Sequence, residues 1–162
     1  MIRLSGFVLL SGLLMGATAC SGAKPADPGH APGAPLELET LVQQSIPGQG
    51  GETVREVIRD QAAWTAMWAK LREGSSLPET PPAVDFNTDM VIVAAMQTQS
   101  CVSKVTVRSA AESGGELVVD ILEAPPAPNC TCFTSERPIH AVRVRKVDAT
   151  PRFDVERGQT PC

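Results

Sequence analysis

Hydrophobic and polar positions divide the chain from Leu36 onward into short periodic segments. One of them, "QAAWTAMWAKLREG", carries large apolar residues at helical spacing: Trp64, Met67, Trp68 and Leu71. Asp60 stands before this segment, where it suits a helix N-cap, and Gly74 suits the helix end. The pattern predicts one amphipathic helix whose two tryptophans pack in the core instead of forming a surface binding stripe.

Most of the remaining segments have the composition of β-strands. "MVIVAAM" is a continuous apolar run, which is typical of a central strand buried on both faces. Other segments alternate or are rich in β-branched residues: "LELETLVQQ", "TVREVIRD", "KVTVRSA", "ELVVDILEA", "PIHAVRVRKV" and "RFDVER". The "ESGG" stretch predicts a hairpin between "KVTVRSA" and "ELVVDILEA". The whole pattern predicts an α+β domain, an antiparallel sheet of about six or seven strands with one main α-helix packed on it.

The first 35 residues have the pattern of an export and anchoring segment. Residues 1–19 combine Arg3 with an apolar run that is short for a membrane span, which predicts a signal peptide. "ATAC" resembles a lipobox and predicts lipidation at Cys20. Residues 20–35 are rich in Pro, Gly and Ala and predict a flexible tether before a domain at 36–162. We therefore expect a protein that is lipid-anchored to a membrane of the bacterial cell envelope, at the outer membrane or the periplasmic face.

The cysteine count supports export. Lipidation of one of the five cysteines leaves an even number in the domain: Cys101, Cys130, Cys132 and Cys162. An oxidising compartment favours disulfides, whereas Cys-x-Cys lacks the spacer usual in zinc sites and is not a Cys-x-x-Cys redox motif. Pairing Cys130 with Cys132 is disfavoured, because in a strand their Cα atoms lie about 6.6 Å apart. The favoured pairs are Cys101 with Cys132 and Cys130 with Cys162, and the swapped pairing stays open.

Composition narrows the kinds of partner. The formal net charge is −4, no run of Lys or Arg stands out, and the chain has no Tyr, which argues against nucleic-acid binding. Arg143 and Arg145 alternate with valines, so both would point from one sheet face, with Lys146 beside them. Such charges usually form a solvated face, but this group could receive an acidic protein partner. No cofactor or metal is expected.

Two residues offer an enzymatic alternative. His140 could serve as a general base, and Asp85 could also be catalytic, in a small metal-dependent or hydrolytic enzyme. However, His140 shares a predicted strand face with Val142 and Val144, which favours a packed, hydrogen-bonded histidine. Asp85 precedes a strand in a loop, where carboxylates commonly accept backbone N–H groups. The residues therefore favour a protein without catalytic groups.

Several short stretches, in this order, resemble the C-terminal domain of the protease complex subunit PrcB family: "VIRDQAAWTAMW", "PPAVDFNTDMVIVAAM", a cysteine-containing segment and "ERPIHAVRVRK". The resemblance covers roughly residues 38–153. One departure is that residues 99–102, with Cys101 among them, replace the glycine-rich turn usual in the family. The resemblance implies a non-enzymatic accessory or regulatory subunit of an exported protease or envelope complex, and it supplies no catalytic motif.

Overall fold

The computed structural model describes residues 33–47 and 50–162. The predicted signal peptide, lipidation site and most of the tether lie outside the described residues. Within these two ranges, nine strands and one helix follow in chain order: β1 (Ala34–Pro35), β2 (Glu39–Pro47), β3 (Val54–Ile58), α1 (Gln61–Arg72), β4 (Asp89–Ala95), β5 (Gln99–Ser100), β6 (Lys104–Ser113), β7 (Glu116–Ala124), β8 (Ser135–Arg145) and β9 (Thr150–Arg157). The predicted strand segments and the helix are all present, with β1 and β5 as short additions.

These strands form two sheets rather than one. The first sheet has the order β1-β6-β7-β9, and the second has the order β2-β8-β4-β3 with β5 paired to β8. The described part of the chain is 51% strand and only 9% helix. The prediction of an α+β fold with a single antiparallel sheet carrying a helix is therefore wrong, and the protein is mostly β. Strand β9 even pairs parallel with β7, because the chain crosses from one sheet to the other after β8.

Strand β4 shows why a pattern of apolar residues could not reveal the second sheet. Its residues are buried on both faces: Met90, Ile92 and Ala94 belong to a core between the two sheets, whereas Val91, Val93 and Ala95 belong to a second core. Strands β6 and β7 complete the first core with alternate residues. An apolar run specifies burial on both faces, but it does not specify whether a sheet or a helix covers each face.

The helix closes the second core. Its start is capped by Asp60, whose Oδ1 accepts a hydrogen bond from the Ala63 N–H at 2.8 Å. Trp64 and Trp68 are fully buried, with their ring centroids 5.4 Å apart. Their indole N–H groups donate to the carbonyls of Pro82 and Pro78, each at 2.9 Å. The prediction that both tryptophans are core residues is confirmed, and the proline-rich loop after the helix satisfies their polar atoms.

Candidate functional site

His140 lies in the core between the sheets and is only 4% exposed. Its Nδ1 accepts a hydrogen bond from the Val107 N–H at 2.8 Å, and its Nε2 lies 3.2 Å from Thr40 Oγ1. Burial, with a smaller contribution from the charge of Lys104, lowers the pKa of His140 from 6.5 to about 4. The ring is therefore neutral at pH 7. Because Nδ1 is an acceptor, the proton lies on Nε2 and donates to the threonine.

Further polar contacts continue this arrangement along the gap between β2 and β6, which we call the β2–β6 seam. Gln43 Nε2 donates to the Val105 carbonyl at 3.4 Å and to Thr106 Oγ1 at 3.2 Å. Ser45 Oγ donates to the Ser103 carbonyl at 3.1 Å. Side chains thus replace a ladder of backbone hydrogen bonds where one sheet meets the other. The histidine and its neighbours hold the two sheets together, which is a structural role.

Asp85 is far from that histidine. Its Oδ1 accepts hydrogen bonds from the backbone N–H of Asn87 at 3.0 Å and from the side-chain amide of Asn87 at 2.8 Å. This turn leads directly into β4 at Asp89, whereas His140 lies opposite Ala94 in the sheet. Five strand residues correspond to about 16 Å. The structure therefore does not bring Asp85 and His140 together.

The basic residues predicted to receive a partner are largely engaged. Arg143 forms an ion pair with Glu39 and lies 3.9 Å from an Asp89 carboxylate oxygen. Lys146 Nζ donates to the carbonyls of Phe86 at 2.7 Å and Arg59 at 3.2 Å. These contacts hold Arg143 and Lys146 against the fold, whereas Arg145 is exposed.

A groove of about 490 Å³ runs beside two of these residues. Arg143 and Arg145 line it, but so do three carboxylates: Glu37, Glu39 and Asp89. Positive charge therefore does not dominate the groove, and an acidic partner would meet repulsion as well as attraction. The structure therefore gives little support to Arg143, Arg145 and Lys146 as a docking site for such a partner.

The four domain cysteines form two disulfides. Cys101 is bonded to Cys132, with Cα atoms 5.1 Å apart, and Cys130 is bonded to Cys162, with Cα atoms 5.5 Å apart. The prediction of disulfide bonding is confirmed, and of the two pairings left open the structure has the favoured one. Within residues 33–47 and 50–162, no group of three or more His, Cys, Asp or Glu residues could hold a metal ion.

Both disulfides lie at one end of the molecule, which is built from residues 97–103, 124–135 and 158–162. We call it the stapled end. None of these segments contains an Asp, Glu, Lys or Arg, although 20% of the whole chain is charged. Hydrogen bonds add to the disulfides: Thr160 Oγ1 donates to the Val102 carbonyl at 2.6 Å, and the Ala127 N–H donates to the Thr160 carbonyl at 3.1 Å. These uncharged segments are therefore held in place without burying much apolar area, with Glu123, Glu136 and Arg157 at their borders.

This end also carries the exposed large hydrophobic residues of the described chain. Val102 is 62% exposed, and Phe133 is fully exposed, with 104% of the reference solvent-accessible area. Both neighbours of Phe133 are tied to Cys101: Cys132 through the disulfide and Thr134 through its carbonyl, which accepts the Cys101 N–H at 3.2 Å. Cys101 itself has a φ of 72°, in the left-handed region that non-glycine residues rarely adopt.

Sequence reasoning did not single out Phe133. A usable signal was present, because an isolated aromatic residue stands inside an uncharged stretch of Pro, Thr and Cys. Such a stretch offers little apolar area to cover the ring. Its exposure still depended on tertiary contacts, because Cys101 holds the residues on both sides of the ring.

Comparisons with known proteins do not add to this account. No protein-family model matches the chain, and searches of curated proteins and of solved structures find no significant match. The resemblance to the PrcB family therefore stays a prediction that rests on short motifs. In the described ranges, no helix has the length and apolar character needed to span a membrane.

Proposed function

We propose that this protein is a non-enzymatic protein-binding module, anchored by a lipid on Cys20 in the bacterial cell envelope. It would serve as an accessory or regulatory subunit of an exported protease or envelope complex, as the PrcB resemblance implies. The observation that carries the proposal is the stapled end, whose uncharged segments are covalently held and carry a fully exposed phenylalanine.

The composition of the stapled end suits an interface. Charged residues are depleted at the centres of protein–protein interfaces, and aromatic residues are enriched there. An exposed Phe in water is unfavourable by roughly 1.5–3 kcal/mol relative to a buried one, and a partner pocket would recover that free energy. Two disulfides hold the surface in place before binding, so little conformational entropy is lost on association.

The other sites offer less support. The arginines of the groove have carboxylate neighbours, and Lys146 donates to backbone carbonyls. The enzymatic alternative relied on His140 and Asp85, yet the histidine is buried with both ring nitrogens hydrogen-bonded. The stapled end is therefore the surface to test first.

A photo-crosslinking amino acid at position 133 of the full-length protein, in its native cells, tests the proposal. We expect a discrete covalent adduct with one partner protein. The same amino acid at Glu79, an exposed position on the loop after the helix, is the matched control and should give no such adduct. Equal adduct patterns from both positions, or none from position 133, would contradict the proposal.

Membrane anchoring needs its own test. Replacing Cys20 with Ala removes the residue predicted to carry the lipid, so the protein should move from the membrane fraction to the soluble fraction. Mass spectrometry of the native N-terminus should show a diacylglyceryl adduct on Cys20. An unmodified cysteine in a membrane-free fraction would contradict the anchor.

A further inference from the structure

The segment 131–135 differs in shape from the rest of the stapled end. Its five residues are all exposed in succession and Phe133 is fully exposed, so the stretch stands out from the surface as far as Ser135, where β8 begins and pairs with Ser100 of β5. Phe133 stands at its centre, and the backbone bends there. The residues on either side are held by the same anchor, Cys101, through the Cys132 disulfide and the Thr134 carbonyl.

A projecting loop needs a concave partner. A flat surface would contact only the tip of the loop, whereas a cleft can enclose several successive residues. Protease active sites are clefts of this kind, because they bind an exposed chain segment and place one side chain in a specificity pocket. A pocket that prefers aromatic residues is a hydrophobic slot, and Phe133 presents a complete aromatic ring to it.

We propose that this loop enters the active-site cleft of an exported protease as a substrate-like segment, with Phe133 in an apolar specificity pocket, and inhibits that protease reversibly. The proposal rests on the proposed function and names the kind of partner and the way it is regulated. Segments 97–103 and 124–135 contribute no charge of their own next to the cleft, and Glu136, which pairs with Gln99, is the charged residue that borders the loop.

The same geometry explains why the loop would inhibit the protease instead of being cleaved as a substrate. Cleavage would add one water across the peptide bond between Phe133 and Thr134, leaving a carboxylate on the first and an amine on the second. Both new ends would remain tied to Cys101, one through the Cys132 disulfide and one through the hydrogen bond to the Thr134 carbonyl. The amine would therefore stay beside the new carboxylate, which favours resynthesis of the peptide bond with release of the same water. A preformed loop also needs little movement to bind.

Inhibition measurements on the detergent-solubilised, disulfide-bonded full-length protein test this idea, with chymotrypsin as a probe that prefers aromatic residues and trypsin as one that needs Lys or Arg. We expect chymotrypsin to be inhibited at least about 30-fold more strongly than trypsin, the size of a typical hot-spot effect. Phe133→Lys should reverse the preference. Val102→Lys introduces the same charge at the neighbouring exposed position and should leave the preference unchanged.

A second variant tests the role of the anchor. Replacing both Cys101 and Cys132 with Ser should raise the rate of cleavage between Phe133 and Thr134 by about 10-fold or more, because the loop loses one of its two ties. Circular dichroism checks that the sheets persist, with the Cys130–Cys162 disulfide still present. An unchanged cleavage rate in a folded variant would overturn the inhibitory mechanism.

Two other results would also overturn this inference. One is the absence of chymotrypsin inhibition by the native protein, and the other is rapid repeated cleavage after Phe133 with the disulfides intact. A crosslink from position 133 to a partner that is not a protease would overturn the inference but support the proposed function. Inhibition without any crosslink in native cells would support the loop mechanism and count against the proposed partner surface.

Discussion

The layered core and the stapled end are stabilised by different physical effects. In the core, β4 and β8 are covered on both faces, and a series of apolar side chains is fully removed from water. At the stapled end, few large apolar side chains are available, and Val102 and Phe133 remain exposed. Disulfides and hydrogen bonds fix the backbone there instead. The contrast shows that a chain can leave an apolar side chain in water where covalent bonds, and not burial, maintain the shape.

Polar groups follow the same division. Two buried polar groups in the core are hydrogen-bonded: His140 joins β2 to β6, and Glu123 in β7 pairs with Arg55 in β3 at 2.5 Å, which joins the two sheets on the opposite side. The buried Ser103 hydroxyl, at the stapled end, has no hydrogen-bond partner. An unpaired charge at His140 or Glu123 would be strongly unfavourable. The stapled end avoids that problem because it contains no charged side chain.

The largest expected effect is a loss of core packing. Trp68→Ala removes a fully buried ring and the hydrogen bond to the Pro78 carbonyl, so we expect a loss of about 3–5 kcal/mol in the free energy of unfolding. Urea denaturation measures this change. Val102→Ala, which truncates an exposed side chain, is the control and should change stability by less than about 0.5 kcal/mol. A similar loss of unfolding free energy in both variants would show that the core and the stapled end are not stabilised by different effects.

Removal of one disulfide tests the stapled end itself. Cys130→Ala together with Cys162→Ala opens a bond that spans 32 residues of sequence, which corresponds to about 3–4 kcal/mol by chain-entropy estimates. Hydrogen exchange should show faster exchange in residues 124–135 and 158–162, with protection retained in β4. If β4 loses protection equally, the two regions unfold as one unit and the comparison fails.

The His140 pKa predicts a pH dependence of the core. Because the pKa falls from 6.5 to about 4 on folding, the unfolded state binds more protons between these values. Stability from this group is complete above about pH 6.5 and is lost as the pH falls towards 4, by about 2–3 kcal/mol. In His140→Gln this contribution disappears, so the stability gap between the two proteins should narrow on acidification. A constant gap from pH 7 to pH 4 would show that the histidine is not held neutral.

The smallest effect on stability is expected at the exposed ring. Phe133→Asp changes a side chain that contacts little of the fold, so the free energy of unfolding should shift by less than about 0.5 kcal/mol. Partner capture should nevertheless fall at least about 30-fold, because a charge would replace the anchoring ring. A large loss of stability would mean that Phe133 belongs to the folded core, contrary to its exposure.

Much of the local structure could be predicted from the sequence because it depends on short-range patterns. The helix from Gln61 to Arg72 follows from a cap, a 3.6-residue period and good helix formers. The hairpin between β6 and β7 follows from Gly114 and Gly115, which both adopt positive φ in the turn. The histidine was correctly favoured as a packed residue because its strand neighbours were apolar.

What the sequence alone determined, then, is the order of the elements, the apolar faces and an oxidised set of cysteines. Only the tertiary structure decided that the strands divide into two sheets, because strand pairing depends on contacts between residues distant in sequence. The exposure of Phe133 was decided in the same way, since it depends on Cys101 holding both of its neighbours from about 30 residues away. The spacing of apolar residues predicts which side chains are buried, but it does not predict which distant part of the chain covers them.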